Sequence, residues 1–304
     1  MPFFHIFYDE KLTFAAIQNV LMEVFKEIFP LKSYLKEGRK TGKSIGLVPT
    51  MGALHQGHLS LVDESLNEAD LTVATIFVNP TQFNNADDLE KYPRTLEADL
   101  EMLKQRGCHA VFVPSVEQMY PHMPELKFNF GKLESVMEGA FRPGHFNGVG
   151  VVVSKLFNIV QPDYAYFGQK DLQQYMIINR LVDDLSFGLQ LRRVPIFRED
   201  NGLAMSSRNR RLSANGKKQA LTLYKSLQLA ETMLKAGDSP ADVQVAVEKL
   251  FASHEVKIEY IETVGLDTLE PVKNISDAGT VAVCVAGYVE DVRLIDNVII
   301  KLDF

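Results

Sequence analysis

Apolar runs of strand length alternate with stretches of helical periodicity through the first two thirds of the chain. Residues 44–50 and 71–78 are apolar runs that predict buried strands. Between them, apolar side chains recur every three or four residues, at Leu59, Val62, Leu66 and Ala69. The segment therefore predicts a strand, a turn, a helix and a second strand.

The same alternation continues to about residue 182. A helix opened by Pro93 precedes a strand at 110–114, and a helix at 149–160 precedes a strand at 163–167 and a helix at 171–182. Strands that alternate with helices form a mostly parallel sheet with helices on both faces, so we predict an α/β, Rossmann-like fold.

The pattern changes after about residue 196. Two helical stretches, at 213–236 and 240–253, are followed by strand-like runs at 256–264 and 280–289 with no helix between them. We therefore predict an N-terminal extension and two domains: residues 1–21, a Rossmann-like domain at 22–195, and a smaller α+β C-terminal domain at 196–304.

Composition and charge narrow the function. The 304 residues are 46% hydrophobic and 23% charged, as in ordinary globular proteins, and the net charge of −7 argues against a general affinity for nucleic acid or anionic membranes. No apolar run approaches the ~18–20 residues that span a bilayer, and the N-terminus lacks the basic flank of a signal peptide. We expect a cytoplasmic protein. Cys108 and Cys284 show no metal-ligand spacing and fit a reducing compartment, although the two could pair.

One phosphate-binding motif can be set aside. The stretch GRKTGKS at 38–44 is similar to a P-loop, but Glu37 stands where the first glycine of GxxxxGKS is required. It also precedes a strand, whereas a P-loop follows one and opens a helix. We expect a solvated turn there.

The stretch VPTMGALHQGH, at 48–58, has the context that a phosphate site needs. It follows a predicted strand and opens a helix, at the edge of the sheet where ligands of such folds bind. Gly52 and Gly57 let the backbone approach a ligand, and the free N–H groups of a helix start attract an anion. His55 and His58 could then both face a phosphate and stabilise developing charge. Two surface histidines, or a zinc pair without a nearby third ligand, are the alternatives.

A second turn of this kind lies in YFGQKDLQQY, at 166–175. Gly168, Lys170 and Asp171 follow a strand and open a helix, so Lys170 could hold phosphate oxygens. Asp171 could cap the helix or bind a ribose hydroxyl or a metal ion, and the sequence does not choose. Gln174, one turn later, offers a neutral donor and acceptor to a polar substrate. An ordinary capped helix would also explain this turn.

Basic residues concentrate around GLAMSSRNRR. Residues 192–218 contain eight Lys or Arg and two acids in a chain that is acidic as a whole. The hydroxyls and guanidinium of residues 206–208 suit a polyphosphate. For Arg210 and Arg211 a solvated basic face is the simpler interpretation.

Polar side chains also follow the strand at 71–78. Asn79, Thr81 and Gln82 in FVNPTQF lie where side chains project over the same sheet edge, and Gln82 could bind a hydroxyl or a carboxylate. A polar loop that contains a proline needs no ligand, which is the alternative.

Five motifs together closely resemble the pantothenate synthetase (pantoate–β-alanine ligase) family of the nucleotidyltransferase and class I aminoacyl-tRNA synthetase superfamily. They are PTMGALHQGH, FVNPTQF, GAFRPGHFNGV, FGQKDLQQ and GLAMSSRN. The histidine pair alone would indicate only the superfamily, and the resemblance extends from about Met22 to the C-terminus. Residues 1–21 have no counterpart, and Met22 stands where such proteins usually begin.

The resemblance implies an ATP-dependent, two-step reaction in coenzyme A biosynthesis. ATP and pantoate would give pantoyl-adenylate and pyrophosphate, and β-alanine would then displace AMP to give pantothenate. It further implies dependence on Mg²⁺, a cytoplasmic homodimer, and a C-terminal domain that closes over the site.

Site residues are implied position by position. His58 matches the position assigned as proton donor, and His55 and Lys170 are further catalytic candidates. Gln82 matches a residue shared by the pantoate and β-alanine sites, and Gln174 matches a pantoate contact. The implied ATP-binding residues are Met51, Gly52, Ala53, Leu54, His55, Gln56, Gly57 and His58; Gly168, Gln169, Lys170 and Asp171; Phe197, through its backbone; and Met205, Ser206, Ser207 and Arg208. The Mg²⁺ ligands are left open.

Two other functions are alternatives to the ligase reaction. A nucleotidyltransferase acting on a phosphorylated acceptor would favour Arg or Lys over the two uncharged glutamines in its acceptor pocket. A nucleotide-binding module without catalysis would not need His55, His58, Lys170 and the serine loop (residues 205–208) together.

Overall fold

A computed structural model of the protein describes residues 22–84, 86–277 and 279–302. The predicted N-terminal extension, residues 1–21, lies outside the described residues.

Two sheets organise the described part of the chain. The strands of a parallel sheet are β1 (Glu23–Phe25), β2 (Ile45–Thr50), β3 (Leu71–Ile76), β4 (Ala110–Phe112), β5 (Tyr164–Gly168) and β6 (Gln190–Val194). The strands of an antiparallel sheet are β7 (Lys257–Gly265), β8 (Thr280–Val289) and β9 (Val292–Lys301). These two sheets confirm the predicted Rossmann-like sheet followed by a smaller α+β part.

Helices connect the parallel strands and cover the antiparallel sheet. They are α1 (Ile28–Lys40), α2 (Gln56–Glu68), α3 (Ala86–Glu90), α4 (Leu96–Arg106), α5 (Val116–Met119), α6 (Met137–Phe141), α7 (His145–Val160), α8 (Leu172–Asp184), α9 (Ala214–Ala236) and α10 (Pro240–Ser253). None of these helices, all from the described residues, is long and apolar enough to cross a bilayer.

The order of the parallel strands creates a crevice. The sheet runs β1-β4-β3-β2-β5-β6, so the chain winds outward in one direction from β2 and in the other direction from β5. Where the winding reverses, the connections leave the carboxyl ends of β2 and β5 on opposite faces, and a ligand can enter between them. The histidine-containing turn follows β2 and the GQKD turn follows β5, so the topology brings both predicted phosphate segments to this crevice.

Burial on both faces explains why the strands read as continuous apolar runs. All six residues of β3 are buried, and so are the first four of β2. Helix α7 packs against this sheet with twelve buried residues, which is why its valines are tolerated in a helix: packing outweighs their lower helix propensity.

The C-terminal part has its own core. Ser213 and Ser239 are the N-caps of α9 and α10, and their side chains accept hydrogen bonds from the first helical turn. Their apolar faces pack on the antiparallel sheet. The opposite face of the antiparallel sheet, which includes Ala282 and Cys284, packs into the core of the parallel sheet. The last strand of the parallel sheet ends at Val194, near the expected domain boundary. The division into domains 22–195 and 196–304 stays a prediction.

Some local expectations need correction. Pro93 does not open a helix: α4 begins at Leu96 after Thr95. Residues 41–43 form the expected exposed turn, but the preceding part of GRKTGKS belongs to α1. The sequence patterns did not predict β1, α1, β6 or β9.

Candidate active site

A cleft opens at the carboxyl ends of β2 and β5, and residues from every predicted segment line it. The predicted residues in its lining are Met51, His55, Gly57, His58, Gln82, Gly168, Lys170, Asp171, Gln174, Phe197, Met205, Ser206, Ser207 and Arg208. The predicted residues in this cavity therefore span 157 positions of the chain, from Met51 to Arg208.

Five predicted ATP-binding residues do not line this cleft: Gly52, Ala53, Leu54, Gln56 and Gln169. The first three are buried within the turn after β2, and Gln56 is exposed to solvent. Their role in ATP binding stays a prediction. The backbone contacts of Ala53 and Leu54 described below define the turn that carries the two histidines.

The turn after β2 is held by Asp99, a residue of α4 that the sequence patterns did not predict. Its carboxylate accepts hydrogen bonds from the backbone nitrogens of Ala53 at 2.9 Å and Leu54 at 2.8 Å. Gly52 and Ala53 both have positive φ angles, 82° and 51°, which favours glycine at the first of them. The buried carboxylate thus stabilises a strained turn through charge-assisted hydrogen bonds.

The two histidines lie side by side at the start of α2. His55 is the N-cap, and its Nδ1 accepts a hydrogen bond from the Gly57 nitrogen at 3.1 Å, which leaves the ring proton on Nε2. The ring of His58 lies with its centroid 4.1 Å from that of His55. Its Nδ1 is buried and has no hydrogen-bond partner among the described residues. A buried polar atom in this state is costly unless a ligand satisfies it.

Both histidines are neutral at pH 7. Burial lowers the pKa of His58 to about 4, with the Lys170 charge adding to the effect, Asp171 opposing it and Arg210 adding further. Burial, with the positive surroundings, lowers the pKa of His55 to about 2. The two rings are therefore neutral hydrogen-bonding imidazoles, while the positive charge of the cleft comes from lysine and arginine.

Lys170 and Asp171 stand together in the turn after β5. The lysine Nζ lies 3.5 Å from a carboxylate oxygen of Asp171, and its side chain is 17% exposed. Burial alone would raise the pKa of Asp171, but the charges of Lys170 and Arg208 outweigh it and hold the pKa below its usual value. The Asp171 carboxylate is thus negatively charged and lies next to the positive charges of Lys170 and Arg208.

The loop after β3 presents Gln82 in a fixed orientation. Asn79 donates to its Oε1 at 3.0 Å, and the Gln82 Nε2 lies 3.2 Å from the sulfur of Met51. Asn79 is itself held by Tyr120, whose hydroxyl donates to its Oδ1 at 2.8 Å. Since Asn79 and Gln82 are both buried, the amide that faces the cleft is fixed before a substrate binds.

Helix α7 supports this loop closely. Nδ1 of His145 lies 2.9 Å from the Gln82 carbonyl oxygen, and the Asn79 amide donates to the Gly148 oxygen at 3.2 Å. A Cβ atom on Gly148 would stand 2.7 Å from the Gln82 nitrogen, so this position requires a residue without a side chain. Sequence reasoning included the glycine and the histidine in a family motif but gave neither a role.

The serine loop approaches the cleft from the C-terminal side. The Met205 nitrogen donates to the Phe197 oxygen at 3.0 Å, which places these two predicted residues side by side. Ser206 caps a short 3₁₀ helix (Ser207–Arg211). Arg211 is exposed, as expected for a solvated face; Arg210 is also exposed but its guanidinium donates to the Leu54 oxygen at 2.9 Å. The basic segment therefore touches the histidine-containing turn.

One wall of the cleft is apolar. It consists of Phe77 and four side chains of α7: Val149, Val152, Val153 and Leu156. Gln82 and Gln174 line the same cleft as uncharged polar groups. This composition suits a small acid with apolar substituents and hydroxyl groups.

The zinc alternative receives no support from the described part of the chain. Within it no group of three or more His, Cys, Asp or Glu side chains is placed to hold a metal ion. Among the described residues, the histidine pair therefore has no third protein ligand of the kind that a zinc site requires.

Comparison with known proteins places these residues in a family. A family model described as pantoate-beta-alanine ligase matches residues 23–299. The pantothenate synthetase of Cytophaga hutchinsonii is 48% identical over 274 residues, which are 90% of this chain and 97% of that protein. The pantothenate synthetase of Moorella thermoacetica is 46% identical over 284 residues, 93% of this chain and 100% of that protein.

Solved structures agree in fold. The crystal structure of pantothenate synthetase from Thermus thermophilus has a TM-score of 0.85 and 40% identity, with 91% of this chain and 99% of that chain covered. That of pantoate-beta-alanine ligase from Francisella tularensis, complexed with beta-gamma ATP and beta-alanine, has a TM-score of 0.77 and 33% identity, with coverages of 91% and 97%.

Proposed function

The chain belongs to the pantoate–β-alanine ligase family, and we propose that the cleft between β2 and β5 carries out the family's ATP-dependent reaction. The reaction joins pantoate to β-alanine and forms AMP and pyrophosphate. The observation that carries the assignment of the site is that His55, His58 and Lys170 line the same cleft as Gln82 and Gln174. We assign the first group to a phosphate end and the two glutamines to an acyl end.

The chemistry explains why the two ends are needed. A carboxylate is a poor electrophile towards an amine, so a pantoate oxygen first attacks the α-phosphorus of ATP, and the bond to pyrophosphate breaks. The amine of β-alanine then attacks the acyl carbon of the mixed anhydride, the C–O bond to AMP breaks, and the amine loses a proton. The first step requires groups that stabilise the negative charge on the phosphates. Both steps require that the acyl group of pantoate is held in a fixed orientation.

The phosphate end is assigned to His58, His55, Lys170 and the serine loop. As pyrophosphate leaves, negative charge grows on the phosphate oxygens. A neutral imidazole of His58 donates a hydrogen bond to them, and Lys170 supplies a point charge. The half-buried position of these groups strengthens both interactions relative to water.

The acyl end is assigned to Gln82, Gln174 and the apolar face of α7. Pantoate carries two hydroxyl groups and two methyl groups next to its carboxylate. The glutamine amides match the polar groups, and the valine wall matches the methyl groups. A phosphorylated acceptor would leave its charge against this wall, which argues against the alternative transferase.

Mg²⁺ is proposed as the ion that accompanies ATP. Among the described residues that line the cleft, Asp171 is the one carboxylate, and a single carboxylate fits Mg²⁺ that is bound mainly by phosphates and water. Asp171 would hold the ion on the protein side, and the ion would reduce the charge repulsion of the triphosphate.

We also propose a cytoplasmic homodimer, on the family resemblance alone. Sedimentation equilibrium would distinguish a mass of twice 34.2 kDa from that of a single chain. A single-chain mass at micromolar concentration would contradict the dimer.

The nature of the nucleotide product tests the proposed function. With Mg-ATP, pantoate and β-alanine, we expect AMP and pyrophosphate in equal amounts. Omission of β-alanine should leave exchange of labelled pyrophosphate into ATP that depends on pantoate. Stoichiometric ADP and phosphate would indicate an acyl-phosphate route and would contradict the proposal.

A further inference from the structure

Strand β9 of the antiparallel sheet carries two adjacent buried polar residues, Asp296 and Asn297, next to the turn that carries Lys170. Their exposed fractions are 4% and 3%. Neither residue belongs to the motifs that carry the family resemblance. Buried polar side chains are retained where their hydrogen bonds hold something in place.

Asn297 holds the backbone on which Lys170 stands. Its Nδ2 donates to the carbonyl oxygens of Gln169 and Lys170, both at 2.9 Å. Its Oδ1 accepts from the side chain of Gln169 at 3.3 Å. The turn after β5 has no side-chain cap of its own, so this amide is a fixed support for two consecutive peptide groups.

Asp296 links strand β9, through Arg198, to the segment that leads to the serine loop. Its carboxylate accepts from both Nη atoms of Arg198, at 2.7 and 3.0 Å, and from the backbone nitrogen of Asn297 at 2.8 Å. Arg198 also donates to the oxygen of Gly202 at 3.1 Å, in the hairpin that leads to the serine loop. One strand of the C-terminal part therefore contacts both segments assigned to phosphate binding.

We propose that Asn297 is a positioning residue for Lys170. By fixing the two carbonyls of the turn, it sets the direction in which the lysine side chain leaves the backbone and approaches the transferring phosphate. Displacement of a catalytic charge lowers the reaction rate more than it weakens substrate binding. The reason is that the transition state is more sensitive than the bound substrate to the position of the charge. This inference rests on the proposed role of Lys170.

A different part of the same interface provides a matched control. The hydroxyl of Tyr260 donates to Glu138 at 2.9 Å, and Glu138 pairs with Arg293 of β9. This hydrogen bond also joins the C-terminal sheet to the rest of the molecule. Tyr260 borders the same small cavity as Lys170 and Asn297, but its hydroxyl donates to Glu138 and not to the turn that carries Lys170. Tyr260→Phe should thus weaken the interface without moving the lysine.

The test is pantoate-dependent pyrophosphate exchange in the full-length protein, with thermal unfolding of each variant measured in parallel. Asn297→Ala should lower kcat roughly 10-fold and change KM for pantoate less than about 2-fold. Asn297→Ser, which can still donate one hydrogen bond, should lose less. In a Lys170→Ala background, Asn297→Ala should cause no further loss, because two residues that act through one group are not additive. Tyr260→Phe should lower Tm with kcat unchanged.

The outcomes separate this inference from the proposed function. If Lys170→Ala is slow but Asn297→Ala and Asn297→Ser keep full kcat, the positioning role is wrong and the role of Lys170 stands. Losses that multiply in the double variant would also overturn it. If Lys170→Ala keeps full exchange, the proposed role of Lys170 fails and the inference fails with it.

Discussion

His145 fixes the carbonyl of Gln82 from a position 63 residues later in the chain, with its Nδ1 at 2.9 Å. Arg142 lies on the other side of the ring, its Nη1 3.2 Å from Nε2. Since a guanidinium can only donate, Nε2 accepts, and the ring proton resides on Nδ1, from which it is donated to Gln82. The orientation of the Gln82 loop therefore depends on the start of α7 as well as on its own sequence.

Replacement of Gln82 tests the assignment of the acyl end. Gln82→Ala removes hydrogen bonds to an uncharged substrate group, each worth about 0.5–1.5 kcal/mol, so kcat/KM for pantoate should fall by roughly 3- to 10-fold or more. The Kd for ATP should change little. Gln105→Ala, at an exposed glutamine of α4, is the control. A weaker ATP affinity with unchanged pantoate kinetics would place this loop on the nucleotide side instead.

Gly148 tests the same loop from the opposite side. In Gly148→Ala the new methyl group would meet the Thr81 and Gln82 backbone, so the loop must shift. We expect KM for pantoate to rise about 10-fold with a loss of roughly 1–3 kcal/mol in stability. Gly188→Ala is the matched control, because nothing lies within 4 Å of a Cβ there. Equal kinetics in the two variants would show that the close approach of α7 does not matter to the substrate.

The buried histidine predicts how stability depends on pH. Burial lowers the pKa of His145 to about 4, and the Arg142 charge adds to the effect. The unfolded chain, with a histidine pKa near 6.5, takes up the proton first as pH falls, so stability present above pH 6.5 is lost between pH 6.5 and 4.

Urea unfolding at several pH values measures this loss. Between pH 6 and 5, His145→Asn should reduce the slope of unfolding free energy against pH by about 1 kcal/mol per unit. Asparagine can still donate to the Gln82 carbonyl. His122→Asn, at an exposed histidine, is the control variant. A slope unaffected by His145→Asn would mean that this ring is protonated in the folded protein.

Local sequence was enough to predict the position of some residues that line the cleft. His58 and Lys170 each follow an apolar strand and open a helix, and this context, which the sequence patterns predicted correctly, puts them at the sheet edge. The family resemblance then supplied their roles. Phe197 and Ser206 likewise came from the resemblance, and they line the cleft.

The supporting residues could not be predicted because their partners are distant in sequence. Asp99 holds a turn 45 residues earlier, and Asn297 holds one 127 residues earlier. Neither stands in a motif, and an aspartate in a helix or an asparagine in a strand has many simpler explanations. Strand β1 was missed for a similar reason: three residues at a sheet edge form no periodic pattern, and pairing with β4 defines them.

The role of His58 is the central claim, and the two half-reactions measured separately test it most directly. His58→Ala should slow pantoate-dependent pyrophosphate exchange by roughly 10²- to 10³-fold, as expected for loss of one electrostatic donor, with little change in ATP affinity. Its reaction of β-alanine with supplied pantoyl-adenylate should suffer less, because no pyrophosphate leaves in that step. His122→Ala, at an exposed position, should match the wild type in both steps. Equal slowing of both half-reactions by His58→Ala, or an exchange rate that equals the wild type, would contradict the account.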